Sequence, residues 1–252
     1  MLLKEKMMQG QKICGVFLRI VRNPAAGYLV KNAGLDFFML DCEHSDYSVE
    51  SIHDIALTAN ALDVPVMIRV PNGTRDNISR ALDCGASGIM VPMIKTPEQA
   101  EDLVRFSKYP PVGERGFTAC SAHTDYAGGS HTEIMRQANS RVLSIAQIET
   151  RQAVERVDEI ASVQGLDMLF IGPNDLSVSL GIPGDTTNPL EIEAIERVAA
   201  ACKKHNKLFG MHSGEVLLKR FAPDLHMVMS QLDITILIEG FRSVRALGNR
   251  LA

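Results

Sequence analysis

SIAQIET, from Ser144 to Thr150, and MLFIGPNDLS, from Met168 to Ser177, decide how the rest of the chain is read. Each begins as a short apolar run of the kind that fills a strand buried on both faces. Each then reaches an acidic residue, Glu149 or Asp175, where a parallel strand would hand over to its helix. In a closed barrel of parallel strands, the carboxyl ends and the loops after them form the reactive face. Two carboxylates delivered there make a cation site the first expectation to carry along the chain.

Outward from these stretches the same pattern repeats. Short apolar runs alternate with longer amphipathic ones, as in βα units around a parallel sheet. The runs are ICGVFLRI, DFFMLDCE, VPVMIRV, GIMVPM, LSIAQIE, MLFIGP, KLFGMHS and MVMSQLD. Eight strands imply an α/β protein folded as a single (β/α)8 TIM barrel, and 252 residues is an ordinary length for one. Nothing in the sequence reads as a linker or low-complexity tract, so residues 1–252 are taken as one domain. Helix starts are marked by Ser48, and by Thr96 followed by Pro97 and Glu98. Gly85, Gly165 and Gly210 suit the turns between helix and strand. The one long irregular segment, YPPVGERGFTACSAHTDYAGGSH from Tyr109 to His131, is expected over the mouth of the barrel.

A 46% hydrophobic, 22% charged chain with net charge −4 is that of a soluble globular protein with no nucleic-acid partner. Five cysteines at irregular spacings, without a CxxC pair, fit reduced thiols and a cytoplasmic location. The amino terminus lacks the apolar core of a signal peptide, and no run reaches membrane-spanning length.

The strand ends hold more polar groups than packing requires: Asp41, Glu43 and His44 after strand two, Arg69 after strand three, Gln147 and Glu149 after strand five, Asp175 after strand six and His212 after strand seven. No comparable cluster is expected at the strand starts. Glu149 and Asp175 are hard oxygen donors suited to Mg2+ or Mn2+, and two carboxylates leave room for water and a chelating 2-oxo acid. Taken alone, Asp175 also reads as a cap for a helix beginning near Leu176. Amides around Asn174 and Asp175 would face the mouth at that helix start and suit a carboxylate. Arg69 is costly to bury unless it meets an anion such as an enolate oxygen, or else it reaches to the rim. His44 is the natural acid/base, with Asp41 or Glu43 to orient it. His123, His131 and His212 are weaker candidates.

DCEHSDY (Asp41 to Tyr47), RVP (Arg69 to Pro71), LDCGASGIMVPMIKTPEQA (Leu82 to Ala100), YPPVGERG (Tyr109 to Gly116), QIET (Gln147 to Thr150) and GLDMLFIGPNDLSVSLG (Gly165 to Gly181) together resemble the HpcH/HpaI aldolase family of metal-dependent, class II pyruvate aldolases. The resemblance runs in order from about Gly15 to the end of the chain. It implies a (β/α)8 barrel assembled as a homo-oligomer, commonly a hexamer, with the C-terminal helix exchanged between subunits. It implies a divalent metal (Mg2+, Mn2+ or Co2+) on Glu149 and Asp175, with pyruvate chelated to it. By the same resemblance Arg69 stabilises the enolate, Gln147 lies beside pyruvate, His44 and Asp41 form the acid/base dyad, and Asp83 is an acidic position near the site. After YPPVGERG this chain departs from many relatives, reading FTACSAHTDYAGGSH.

The expected reaction is reversible cleavage of a 4-hydroxy-2-oxo acid to pyruvate and an aldehyde through a metal-bound pyruvate enolate. The same enolate would serve an oxaloacetate decarboxylase or a macrophomate-synthase-like enzyme. A Schiff-base enzyme would need a lysine, and Lys95 is the only one near a strand's carboxyl end. A non-catalytic oxo-acid-binding barrel would need neither His44 nor Arg69.

Overall fold

The computed structural model describes residues 2–251. Its eight strands are β1 (Ile13–Leu18), β2 (Phe37–Asp41), β3 (Val66–Arg69), β4 (Gly88–Val91), β5 (Leu143–Ile148), β6 (Met168–Ile171), β7 (Leu208–His212) and β8 (Met227–Leu232). All pair in parallel in chain order, and β8 closes on β1. Each falls inside one of the eight apolar runs.

The helices through the first half are α1 (Leu3–Met8), α2 (Ala26–Asn32), α3 (Val49–Ala61), α4 (Arg75–Asp83), α5 (Pro97–Ser107) and α6 (His131–Arg141). Those of the second half are α7 (Arg151–Glu155), α8 (Val157–Ser162), α9 (Pro173–Leu180), α10 (Pro189–Lys204), α11 (Glu215–Phe221) and α12 (Asp233–Leu251). Ser48 caps α3 by accepting the Ser51 N–H, and Thr96 caps α5 with Pro97 in its first turn.

Alternation along the strands separates two cores. Val16, Phe38, Leu40, Ile68, Ile89, Ala146, Leu169 and Phe209 face the helices. Ile13, Phe37, Met39, Met67, Met90, Ile145, Met168, Phe170, Met227 and Met229 fill the inside of the barrel. Its methionines are flexible fillers of an irregular space. Two glycines admit the large rings there: a Cβ on Gly15 would fall 2.4 Å from the Phe37 ring, and one on Gly210 2.6 Å from Phe170. Gly210 therefore lies within β7 and serves packing rather than a turn. Gly85 and Gly165 do occupy turns, with φ of 100° and 82°.

The same inward parity, continued to the carboxyl ends, reads Asp41, Arg69, Gln147, Glu149 and His212. Polar residues thus replace methionine and phenylalanine in the top layer of a barrel that is otherwise apolar inside.

Two expectations are corrected here. The segment from Tyr109 to His131 follows α5, not a strand, so alternation returns it to the strand-start side. Its Ala122 carbonyl lies near Gly85, the turn between α4 and β4, and Tyr126 hydrogen-bonds His53 of α3 at 2.8 Å. His131 begins α6. The strand starts also hold a polar cluster after all. Lys108, 2% exposed, donates to Asp167 at 2.9 Å, and Asp167 also pairs with Lys4 of α1 and accepts the Ser144 N–H at 2.9 Å. Leu3 and Met7 of α1 join the interior core and close that end of the barrel.

Candidate active site

At the carboxyl ends of the strands a cleft of about 140 Å3 is lined by Phe17, Arg19, His44, Arg69, Gln147, Phe170, Gly172, Pro173, Asn174, Asp175, His212 and Leu232. A larger cavity of about 560 Å3 lies toward the strand starts among Leu3, Asn60, Asp63, Ser87, Asp125 and Arg141, away from the polar layer at the carboxyl ends.

Glu149 follows β5 and is 2% exposed. Its Oε1 accepts the Met93 backbone N–H at 2.6 Å, and its Oε2 accepts Gln147 Nε2 at 2.6 Å. Met93, after β4, has a left-handed φ of 55°, an uncommon conformation for a side-chain-bearing residue, held where its N–H meets the carboxylate. Burial pushes the Glu149 carboxyl up to about 7, the Met93 bond opposes this, and the charges of Asp175 and Glu43 add to it. Asp175 is exposed in the first turn of α9, whose N-cap is Gly172, so the acid does not cap the helix.

A buried Glu149 repelled by the exposed Asp175 suits a bound cation. Among the described residues no group of three or more His, Cys, Asp or Glu side chains is arranged to hold a metal. A cation on Glu149 and Asp175 would therefore keep most of its shell for water and substrate, the habit of Mg2+. The residues present fit such an ion.

Arg69 ends β3, 5% exposed, with its register partner Asp41 beside it on β2. Its Nε and Nη2 donate to the two oxygens of Asp41 at 2.9 and 2.6 Å. Nη1 lies 3.0 Å from Glu43 and donates to Gln147 Oε1 at 3.4 Å. The guanidinium stacks 5.0 Å from the Phe17 ring centroid. Four partners thus satisfy a charge that burial alone would penalise.

Asp41 is fully buried. Burial raises its carboxyl, but the bonds and charges of Arg69 and Arg19 outweigh it and hold the group below its ordinary value. The expected Asp41–His44 side-chain dyad is not formed, because both Asp41 oxygens are taken by arginines and by the Glu43 and His44 backbone N–H groups. Glu43 is the carboxylate beside the imidazole, 3.6 Å from His44 Nε2. His44 itself is half exposed to the cleft.

His212, at the end of β7, stands edge-on to Phe17, and Nε2 has no hydrogen-bond partner. Burial first, then Arg69 and Arg19, push it down to about 4. Asn174 lines the cleft from α9. Asp83 is not brought to it. It ends α4, on the strand-start side of its βα unit, and pairs with Arg115 at 2.7 Å.

Sequence reasoning passed over four contributors. Arg19 follows β1 with inward parity, the signal already read for Arg69. Gly172 would place a Cβ 2.6 Å from Glu149 Oε2 and 2.7 Å from Gln147 Nε2. The Met93 N–H and the Asp233 carboxylate, which grips the loop after β1, carry no local signature.

Residues 15–221 match the family model described as HpcH/HpaI aldolase/citrate lyase. A hydroxypyruvate/pyruvate aldolase of Roseobacter denitrificans is 37% identical over 186 residues, 74% of this chain and 72% of that protein. A 2-keto-3-deoxy-L-rhamnonate aldolase of Salmonella paratyphi A is 30% identical over 249 residues, 98% of this chain and 91% of that one. The crystal structure of an HpcH/HpaI aldolase from Desulfitobacterium hafniense superposes with a TM-score of 0.92 at 33% identity, covering 98% of this chain and 96% of the other. Barrel, polar mouth and these matches define a carbon–carbon lyase acting on small molecules. The chain belongs to the HpcH/HpaI aldolase/citrate lyase family.

Proposed function

We propose that this protein reversibly cleaves a 4-hydroxy-2-oxo acid to pyruvate and an aldehyde. The observation that carries the reading is the placement of Glu149 and Asp175 beside Gln147 and the buried Arg69. A divalent cation held by Glu149 and Asp175, Mg2+ or Mn2+ by the hardness of the donors, supplies Lewis acidity toward the keto oxygen.

The chain's own residues do the rest. Arg69, fixed by Asp41 and Glu43, presents a guanidinium that favours the oxyanion as the bond between C3 and C4 breaks. Gln147, pinned through its amide to Glu149, shapes the side of the site nearest that oxyanion. His44, beside Glu43, takes the proton of the 4-hydroxyl, so that the carbonyl of the departing aldehyde forms. In the synthetic direction it returns that proton. Phe17, Phe170 and Pro173 line the cleft with apolar surface and limit water at the reacting carbons.

We also place the chain in a homo-oligomer, with α12 exchanged between neighbours. Ile236, Leu237, Phe241, Val244, Leu247 and Leu251 on that helix are exposed, an apolar stripe that a subunit neighbour would cover.

The test is chelation. Stripping divalent ions should abolish pyruvate release from a hydroxy-oxo acid, and Mg2+ or Mn2+ should restore it. Full turnover in a metal-free preparation would overturn the reading.

A further inference from the structure

The loop after β1 begins where strand pairing stops. The β1–β8 ladder shifts register between Gly15 and Phe17, and its last pair is Phe17 with Leu232, so the backbone N–H groups that follow need another acceptor. Asp233, the first residue of α12, supplies one. Its Oδ2 accepts the N–H groups of Arg19, Ile20 and Val21 at 2.9, 2.8 and 2.9 Å, and its Oδ1 accepts the Ile234 N–H at 2.8 Å. The residue is 4% exposed, and among the described residues it is the one buried residue of α12. On its other side the loop is tied by Tyr47, whose hydroxyl donates to the Val21 carbonyl at 2.9 Å.

Burial alone does not ask for so firm a hold. Ile20, in the middle of the three, is 51% exposed, so water stands ready for backbone groups there. A carboxylate that gathers three successive N–H groups fixes the direction of the loop, and the side chain that the loop directs into the cleft is Arg19.

Arg19 Nε donates to Asp41 Oδ2 at 2.6 Å, the same oxygen that accepts Arg69 Nη2 at 2.6 Å. Arg69 Nε takes the other oxygen at 2.9 Å. Two arginines from the ends of the flanking strands thus clamp one carboxylate between them. The angle at which Asp41 meets the Arg69 fork sets where the remaining nitrogen points, and Nη1 points toward Gln147, on the pyruvate side of the site.

We propose that Asp233 and Arg19 are positioning residues for the Arg69 guanidinium. Asp233 fixes the loop, the loop fixes Arg19, and Arg19 holds Asp41 at the angle that aims Arg69 at the developing oxyanion. In this role neither residue touches the reacting atoms. Outer partners of this kind keep a charged group in its productive geometry, and losing them costs activity rather than binding. The inference rests on the pyruvate-aldolase reading above.

The test reads enolate formation alone, as exchange of pyruvate methyl protons in heavy water by the full-length protein loaded with Mg2+. A methyl proton leaves carbon, its electron pair settles on the keto oxygen, and a deuteron returns. Asp233→Ala should lower kcat for exchange by about 10- to 100-fold with little change in KM, since the carboxylates on the metal side are untouched. Asp233→Asn keeps one acceptor oxygen and should recover part of the loss. Arg19→Met removes the Nε donor and should lower kcat by a similar factor.

The double variant separates a relay from a merely structural role. If Asp233 acts through Arg19, adding Asp233→Ala to Arg19→Met should cost about threefold or less. The same loss in both backgrounds, an unchanged kcat in Arg19→Met, or a rise in KM in place of the fall in kcat overturns the relay and leaves the aldolase reading standing. Should Asp233→Ala yield no folded protein, the cycle is run with Asp233→Asn and judged by the same outcomes. A wild type that exchanges no methyl protons with Mg2+ present overturns the aldolase reading, and the relay with it.

Discussion

A β-carbon on Gly172 would stand 2.6 Å from Oε2 of Glu149. The backbone there, at φ −105° and ψ 88°, asks for no glycine, so the requirement is space for the carboxylate and its Gln147 partner. Gly172→Ala should displace Glu149 and lower turnover on the order of 100-fold, the usual cost of an ångström of misplacement. Thermal melting should move little, because the clash is relieved by moving side chains into the open cleft. Equal losses of turnover and stability would show that the residue serves folding instead.

Asp41 sits between two guanidinia with no exposed surface. Asp41→Asn keeps the shape and removes the charge, leaving the buried Arg69 with Glu43 as its remaining carboxylate partner, at a cost of about 3 kcal/mol. The pH dependence has a definite sign. A carboxyl held below its unfolded value contributes fully above that value and loses its contribution as pH falls through the folded one. Urea denaturation should thus separate wild type from the variant widely at pH 7 and less at pH 3.

The barrel was legible because its strands are buried on both faces and spell themselves as apolar runs. The metal-side residues were legible because charge at the end of such a run has no packing reason to be there. The partners of those residues were not. Asp41 and His44 are neighbours in sequence, but Arg19 and Arg69 claim the Asp41 carboxylate from the ends of the flanking strands β1 and β3, and no local pattern announces that competition. The long segment was misplaced because its composition speaks of a loop, while its end of the barrel is fixed only by the count of elements before it. Gly172 and Met93 act through an absent side chain and a backbone N–H, which leave no chemical mark in a sequence.

His44 reaches the cleft beside Glu43, and proton transfer at the 4-hydroxyl is its assigned work. His44→Ala should lower kcat by about 100- to 10,000-fold with little change in KM for the oxo acid, since binding rests on other groups. Glu43→Gln should cost less, as it keeps a polar partner beside both the imidazole and Arg69. A matched rise in KM in His44→Ala would point to a binding role. Steady-state kinetics on purified variants decide it.

Glu191, the third residue of α10, is fully buried, and neither carboxyl oxygen has a partner. Burial pushes it up to about 7. A carboxyl raised in the folded state makes the fold bind more protons than the unfolded chain, so stability falls as pH rises from about 4.5 toward 7. Glu191→Met keeps the length and removes the charge. It should gain on the order of 3 kcal/mol at pH 8 and much less at pH 5. At about 2–4 °C per kcal/mol for a domain of this size, melting curves at the two pH values read the difference directly. A gain equal at both would mean that packing, not ionisation, is what changes.

Phe241 and Val244 of α12 are each 69% exposed, and Leu247 and Leu251 follow at helical spacing on the same side. An apolar stripe of this length on a nineteen-residue helix is not expected to face water in a stable monomer. Phe241→Asp combined with Val244→Asp should convert an oligomer to smaller species in sedimentation velocity while far-ultraviolet circular dichroism stays that of the barrel, because α12 adds only Asp233 to the buried residues. Asp233 is left intact in this variant, so the loop that presents Arg19 keeps its three hydrogen bonds. If wild type itself sediments as a monomer at micromolar concentration, the stripe has another occupant and the proposed exchange fails.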